Sequence, residues 1–124
     1  MDKPRLIPNE THPITVTPTG RRVTVRVGDR LVADTTRALS LAESTYPVAQ
    51  YIPIDDVSPE VLRESSTETY CPYKGDARYY SLAVGDDEIT DAIWAYDNPY
   101  PAVAEIAGHV AFYPNKVAIS VEAA

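Results

Sequence analysis

Apolar and polar residues alternate in short runs along this chain, and proline, glycine or acidic turn residues end each run. Ile14-Thr-Val-Thr17 alternates ahead of the turn chemistry in Pro18-Thr-Gly-Arg21. Val23, Val25 and Val27 then face one way while Thr24 and Arg26 face the other, the period of two that a half-buried strand requires. Gly28-Asp29 turns the chain into Leu31-Val-Ala33, so this region predicts a β-meander with one buried face. Pro47 and Pro53 bracket residues 48–52, which predicts an edge strand because a proline nitrogen cannot donate to a ladder. Later, Tyr80, Leu82 and Val84 alternate with Tyr79, Ser81 and Ala83, and Gly85-Asp86-Asp87 supplies a hairpin turn. Residues 89–96 form the return strand, with Trp94 and Tyr96 on the face opposite Ile93 and Ala95. Residues 109–113 and 117–121 read as the last strands, parted by Pro114-Asn-Lys116.

Helix signals are few. Ser58 as N-cap, Pro59 at the first helical position and Glu60 in the first turn predict a short helix over 58–63. Pro101 and Gly108 mark a second over 100–108. Residues 34–45 have apolar spacing that admits a helix, but Thr35-Thr-Arg37 at the start and Tyr46-Pro47 at the end favour extended chain. About eight short strands with frequent turns indicate an all-β domain, two antiparallel sheets enclosing one core with little helix. Pro4, Pro8 and Pro13 predict an extended arm over 1–13, ahead of a single β-rich domain over 14–124.

Composition narrows the function classes. At 124 residues, 44% apolar and 23% charged, the chain has the make-up of one globular domain. Its formal charge of −7 argues against nucleic acid or an anionic membrane as partner, since phosphate neutralisation needs a basic stripe. Arg21, Arg22, Arg26 and Arg30 are the nearest approach to one and read as a solvated hairpin surface. A single cysteine permits no internal disulfide, and no apolar run reaches signal-peptide or membrane-span length, so a cytoplasmic protein is expected. It is expected to be a monomer or a homodimer.

The densest chemistry lies in Thr69-Tyr-Cys-Pro-Tyr-Lys-Gly-Asp-Ala-Arg-Tyr-Tyr80, which holds a thiol, an amine, a glycine and four phenols. Residues Cys71 to Tyr80 of this stretch resemble the hallmark of domain-of-unknown-function family 427, also labelled nucleotidyltransferase-like. Val32-Ala-Asp-Thr-Thr-Arg-Ala-Leu39, Tyr51-Ile-Pro-Ile-Asp-Asp-Val57, Ile93-Trp-Ala-Tyr-Asp97 and Pro101-Ala-Val-Ala-Glu-Ile-Ala-Gly-His-Val-Ala-Phe-Tyr113 continue the resemblance in the family's order, over roughly residues 12–121. It implies a small β-rich domain similar to the β-tent folds, extended chain over 34–45 and no established activity. Related β-tent proteins pin their sheets with Cys-x-x-Cys pairs. This chain offers Cys71, His12 and His109 with no pair at metal spacing, so no zinc, other metal or cofactor is expected.

Nine tyrosines beside one tryptophan and one phenylalanine suit a cavity wall, because a phenol pairs an apolar ring with a hydroxyl that needs a partner. Tyr51, Tyr73, Tyr79, Trp94 and Tyr96 are the candidates for that wall; the alternative places them in the sheet interior with hydroxyls at its rim. Cys71 is either a small buried apolar group or a thiol tuned by Lys74, and Lys74 either a salt-bridging residue or an anion-binding one. Glu43 joins the site if it is buried against Lys74 or a tyrosine hydroxyl. Adjacent Asp55 and Asp56 make a weak dyad, and Asp56 is expected to order its loop. His12 and His109 read as packing or surface residues, and no residue is assigned as catalytic. The preferred expectation is a domain binding a small organic ligand. An enzyme using Cys71 or Lys74, or an interaction module working through a sheet edge or aromatic patch, are the alternatives.

Overall fold

The computed structural model describes residues 3–123, so the first two residues of the expected arm and the last residue of the expected domain lie outside it. Ten strands follow one another: β1 (Ile14–Pro18), β2 (Val23–Val27), β3 (Arg30–Thr35), β4 (Leu39–Glu43), β5 (Ala49–Pro53), β6 (Leu62–Cys71), β7 (Gly75–Val84), β8 (Asp87–Ala95), β9 (His109–Phe112) and β10 (Ala118–Val121). They form two antiparallel sheets, one of seven strands in the order β1-β4-β5-β9-β8-β7-β6 and one of three in the order β10-β2-β3. The chain is therefore all-β, an arrangement compatible with the β-tent expectation.

Alternation along the strands sends side chains to two separate clusters. One face of the large sheet packs on the small sheet: Val23, Val25 and Val32 meet Ile52, Leu82, Ile93, Val110 and Phe112, all at most 2% exposed. Burying each of these side chains is worth roughly 1.5–3 kcal/mol. The opposite face carries Leu41, Tyr51, Ala77, Tyr79, Tyr96 and Ala111 under the segment that holds Val103 and Ile106. Neighbours in sequence such as Tyr51 and Ile52, or Ala111 and Phe112, thus belong to different clusters.

Several sequence expectations need correction. β1 does not pair with β2: it crosses to the large sheet and pairs with β4, so the meander reduces to the β2–β3 hairpin, extended on its far side by β10. β5 is an interior strand between β4 and β9. Pro47 lies ahead of it and Pro53 ends it, so neither proline interrupts the ladder. The predicted helix over 58–63 shrinks to a 3-10 turn at Pro59–Val61 without a side-chain cap from Ser58, because Leu62 already enters β6. The second is a 3-10 segment, Pro101–Ile106, kinked at Val103. Residues 34–45 contain β4, as the extended reading held.

β6 had no sequence signal. It is an edge strand with a register shift between Glu64 and Glu68, and much of its length is exposed polar side chains. Its irregular stretch is pinned by Asp91, which accepts hydrogen bonds from the Ser65 and Thr67 hydroxyls at 2.5 and 2.7 Å.

Candidate functional site

The site grows from the β6–β7 turn. The Lys74 amide donates to the Cys71 carbonyl at 3.2 Å, and Gly75 closes the turn at φ 112°, a backbone region glycine enters without strain. A Cβ at Gly75 would lie 3.4 Å from the Asn98 carbonyl oxygen, an ordinary van der Waals contact, so the positive φ is what calls for glycine here. Two further backbone bonds clamp the turn: the Tyr100 amide donates to the Lys74 carbonyl at 3.0 Å and the Leu6 amide to the Pro72 carbonyl at 2.9 Å.

So held, Lys74 points inward, with only 10% of its side chain exposed. Its ammonium donates to Glu43 Oε1 at 2.5 Å, lies 3.6 Å from Cys71 Sγ and sits 5.9 Å from the centre of the Tyr96 ring. The other Glu43 oxygen is 2.8 Å from His12 Nε2. Burial acts to raise the Glu43 carboxyl, but the bonds from Lys74 and His12 outweigh it and hold the group below its ordinary value.

Above this pair lies a hollow of about 200 Å³, lined by Glu43 and Lys74 together with Leu41, Tyr51, Tyr79, Trp94, Tyr96 and Tyr113. Trp94 Nε1 donates to the Tyr51 hydroxyl at 3.0 Å, with the rings edge to face, and the Tyr113 ring leans on the indole at 4.5 Å. Tyr79 shares a hydrogen bond of 2.9 Å with Thr69. Burial pushes the Tyr51 and Tyr96 hydroxyls far up, and burial with the bond to Tyr79 pushes Tyr113 up to about 12.

Of the residues singled out from sequence, Glu43, Tyr51, Lys74, Tyr79, Trp94 and Tyr96 meet around this hollow, and Cys71 touches it through Lys74. Tyr73 does not reach the wall. It stacks on His12 instead, with centroids 4.1 Å apart and planes at 5°. His12 is thus more than a packing residue, since its ring bonds the carboxylate of the ion pair. Asp56 orders its loop by accepting from Thr35 and Arg37. Asp86, Asp87 and Glu88 lie exposed at the hairpin tip. Leu41, Tyr46, Pro47, Ala49 and Tyr113 also line the hollow and are not among the residues that the sequence singles out for the site. Tyr113 lies two residues beyond Ala111, the cross-strand partner of Trp94, so the period of two would have placed it on the same face.

His12 arrives on the arm. Residues 3–13 form no regular strand or helix but dock along the turn: the Tyr70 hydroxyl donates to the Pro4 carbonyl at 2.6 Å, and Arg5 lies 4.4 Å from the centre of the Tyr100 ring. Lys3 pairs with Asp76.

A larger hollow, about 490 Å³, lies beside the arm between Lys3, Tyr70, Asp76, Arg78 and Asp97. Lys3, Asp76 and Asp97 are exposed there, and Lys3 pairs with Asp76 and Arg78 with Asp97, so the smaller hollow with its buried pair is the stronger candidate.

The raised phenols carry a pH consequence. In the unfolded chain a tyrosine ionises near its ordinary value of about 10. Tyr51, Tyr96 and Tyr113 keep their protons to higher pH when folded, so their contribution is intact below about pH 10 and is lost as pH rises toward the folded values. Urea unfolding followed by circular dichroism is expected to show the midpoint falling steeply between about pH 10 and 12, with a shallower fall in Tyr96→Phe.

Two antiparallel sheets with a polar pair under an aromatic-walled hollow define a small β domain with a concave region of mixed polar and aromatic character. The chain belongs to the family described as Domain of unknown function (DUF427), which it matches over residues 15–123, as the motifs from Val32 to Tyr113 implied. No curated protein matches it. Among the described residues no helix is long and apolar enough to cross a membrane.

Proposed function

We propose that this domain binds a small organic molecule in the hollow between Trp94, Tyr51, Tyr79, Tyr96 and the Glu43–Lys74 pair. One observation carries the reading: a nearly buried ion pair forms the floor of open space walled by aromatic rings. Desolvating two opposite charges rarely favours folding over a well-packed apolar pair, so a pair kept beside unfilled volume is better explained by a ligand than by stability. The rings supply flat apolar walls, and the pair together with the hydroxyls supplies orienting polar contacts.

A fragment library read by thermal shift tests this on the wild type, Trp94→Ala and the paired replacement Glu43→Leu/Lys74→Met, which removes the floor without stranding a charge. Fragments binding in the hollow are expected to raise the wild-type melting temperature and to lose most of that shift in both variants. Fragments that stabilise all three proteins equally would exclude the hollow as the site.

A further inference from the structure

Resting on the reading above, we infer the chemical class of the ligand: an uncharged, single-ring molecule bearing a carbonyl acceptor beside an N–H donor, as in a carboxamide or lactam. Size comes first. A hollow of about 200 Å³ falls below the roughly 300–1,000 Å³ of sites for drug-sized ligands, so one ring with a short substituent fills it.

Charge comes second. The floor holds one carboxylate and one ammonium at 2.5 Å, and the second carboxylate oxygen is 2.8 Å from His12 Nε2. The pair is self-neutralising. An anionic ligand would have to compete with Glu43 for Lys74, a cationic one with Lys74 for Glu43, and either would leave an uncompensated charge in a mostly buried place. Neutral ligands meet no such penalty.

Hydrogen-bonding capacity comes third. An ammonium has three donors; Glu43 takes one and the Cys71 sulfur weakly engages a second, which leaves one for a ligand. The Tyr51 hydroxyl accepts from Trp94 but donates to no protein group among the described residues, and the Tyr96 hydroxyl makes no hydrogen bond among them. No buried side-chain polar atom there lacks a partner, so the Tyr96 hydroxyl meets solvent, and Tyr96 lines the hollow. Donors are thus in surplus and favour a carbonyl oxygen. The spare lone pairs of Glu43 accept one N–H.

The test uses three probes of matched shape: benzamide, benzoate and benzylammonium, each titrated calorimetrically into the full chain at pH 8. Benzamide is expected to bind at least tenfold more tightly than either charged probe. Glu43→Gln is expected to turn the preference toward benzoate and Lys74→Met toward benzylammonium, since each exposes one charge of the pair. Tighter wild-type binding of benzoate or benzylammonium would overturn the inference of a neutral ligand and leave the hollow standing as a site. Absence of binding by all three would overturn both. The wild-type comparison decides the matter even if a single-charge variant does not fold.

Discussion

Lys74→Ala is expected to lower the unfolding free energy by about 3–5 kcal/mol, because it leaves Glu43 as a mostly buried carboxylate held only by His12. Glu43→Gln strands the ammonium in the same way. The paired replacement Glu43→Leu/Lys74→Met is expected to recover most of either loss, since apolar side chains of similar volume often match or exceed a buried ion pair in stability. A double-mutant cycle by urea denaturation measures the coupling directly. The acid limb gives a second reading of the same pair. The Glu43 carboxyl is depressed in the fold, so its contribution is present above the unfolded value of about 4.3 and lost as pH falls through the folded value. The stability gap between wild type and Glu43→Gln should therefore narrow below about pH 4. Two recovered single-mutant losses with ligand binding still absent would separate the role of the pair in binding from its role in folding.

Ile93→Ala is expected to cost about 3–4 kcal/mol, and the melting temperature to drop by roughly 10–20 °C. Ile93 is 0% exposed, pairs with Tyr80 on one side and Phe112 on the other, and faces the small sheet in the cluster with Leu82 and Val110. Backbone ladders on both sides leave little freedom for the neighbours to close the cavity, and the penalty grows with the volume left empty. Val48→Ala, at a position 54% exposed, is expected to stay within about 0.5 kcal/mol and serves as the control in the same thermal scans. A loss below 1 kcal/mol for Ile93→Ala would mean that the two sheets are not packed as described.

How much of this was legible in the sequence depends on the range of the interaction. β2 and β7 stand out because apolar residues recur at every second position, Val23, Val25 and Val27 in one and Tyr80, Leu82 and Val84 in the other, and β8 because Ile93 and Ala95 flank Trp94 after a hairpin turn, all of them local patterns. β6 does not, because an edge strand with one face in water has no need of apolar alternation, and its shift near Ser65–Thr67 breaks what period remains. The partner of β1 is not legible for a different reason: hairpin pairing is the default for neighbouring strands, and only the packing of two sheets sends β1 to β4. Around the site, Cys71, Tyr73 and Lys74 are visible together as one turn, although Tyr73 stacks on His12 and does not line the hollow. Glu43 comes from a strand 31 residues away and was recognisable only as a conditional member. His12 is not legible because its position depends on the arm being held by the Leu6 amide on the Pro72 carbonyl and by the Tyr70 hydroxyl on the Pro4 carbonyl, and a carbonyl oxygen has no signature in residue identity.

The single tryptophan of the chain stands in the wall of the hollow, its ring nitrogen committed to Tyr51 and its face against Tyr113. Every indole photon the protein emits therefore originates at the place a guest would occupy. Unlabelled wild-type material thus carries a built-in optical reporter of occupancy, with no background from a second emitter of that kind.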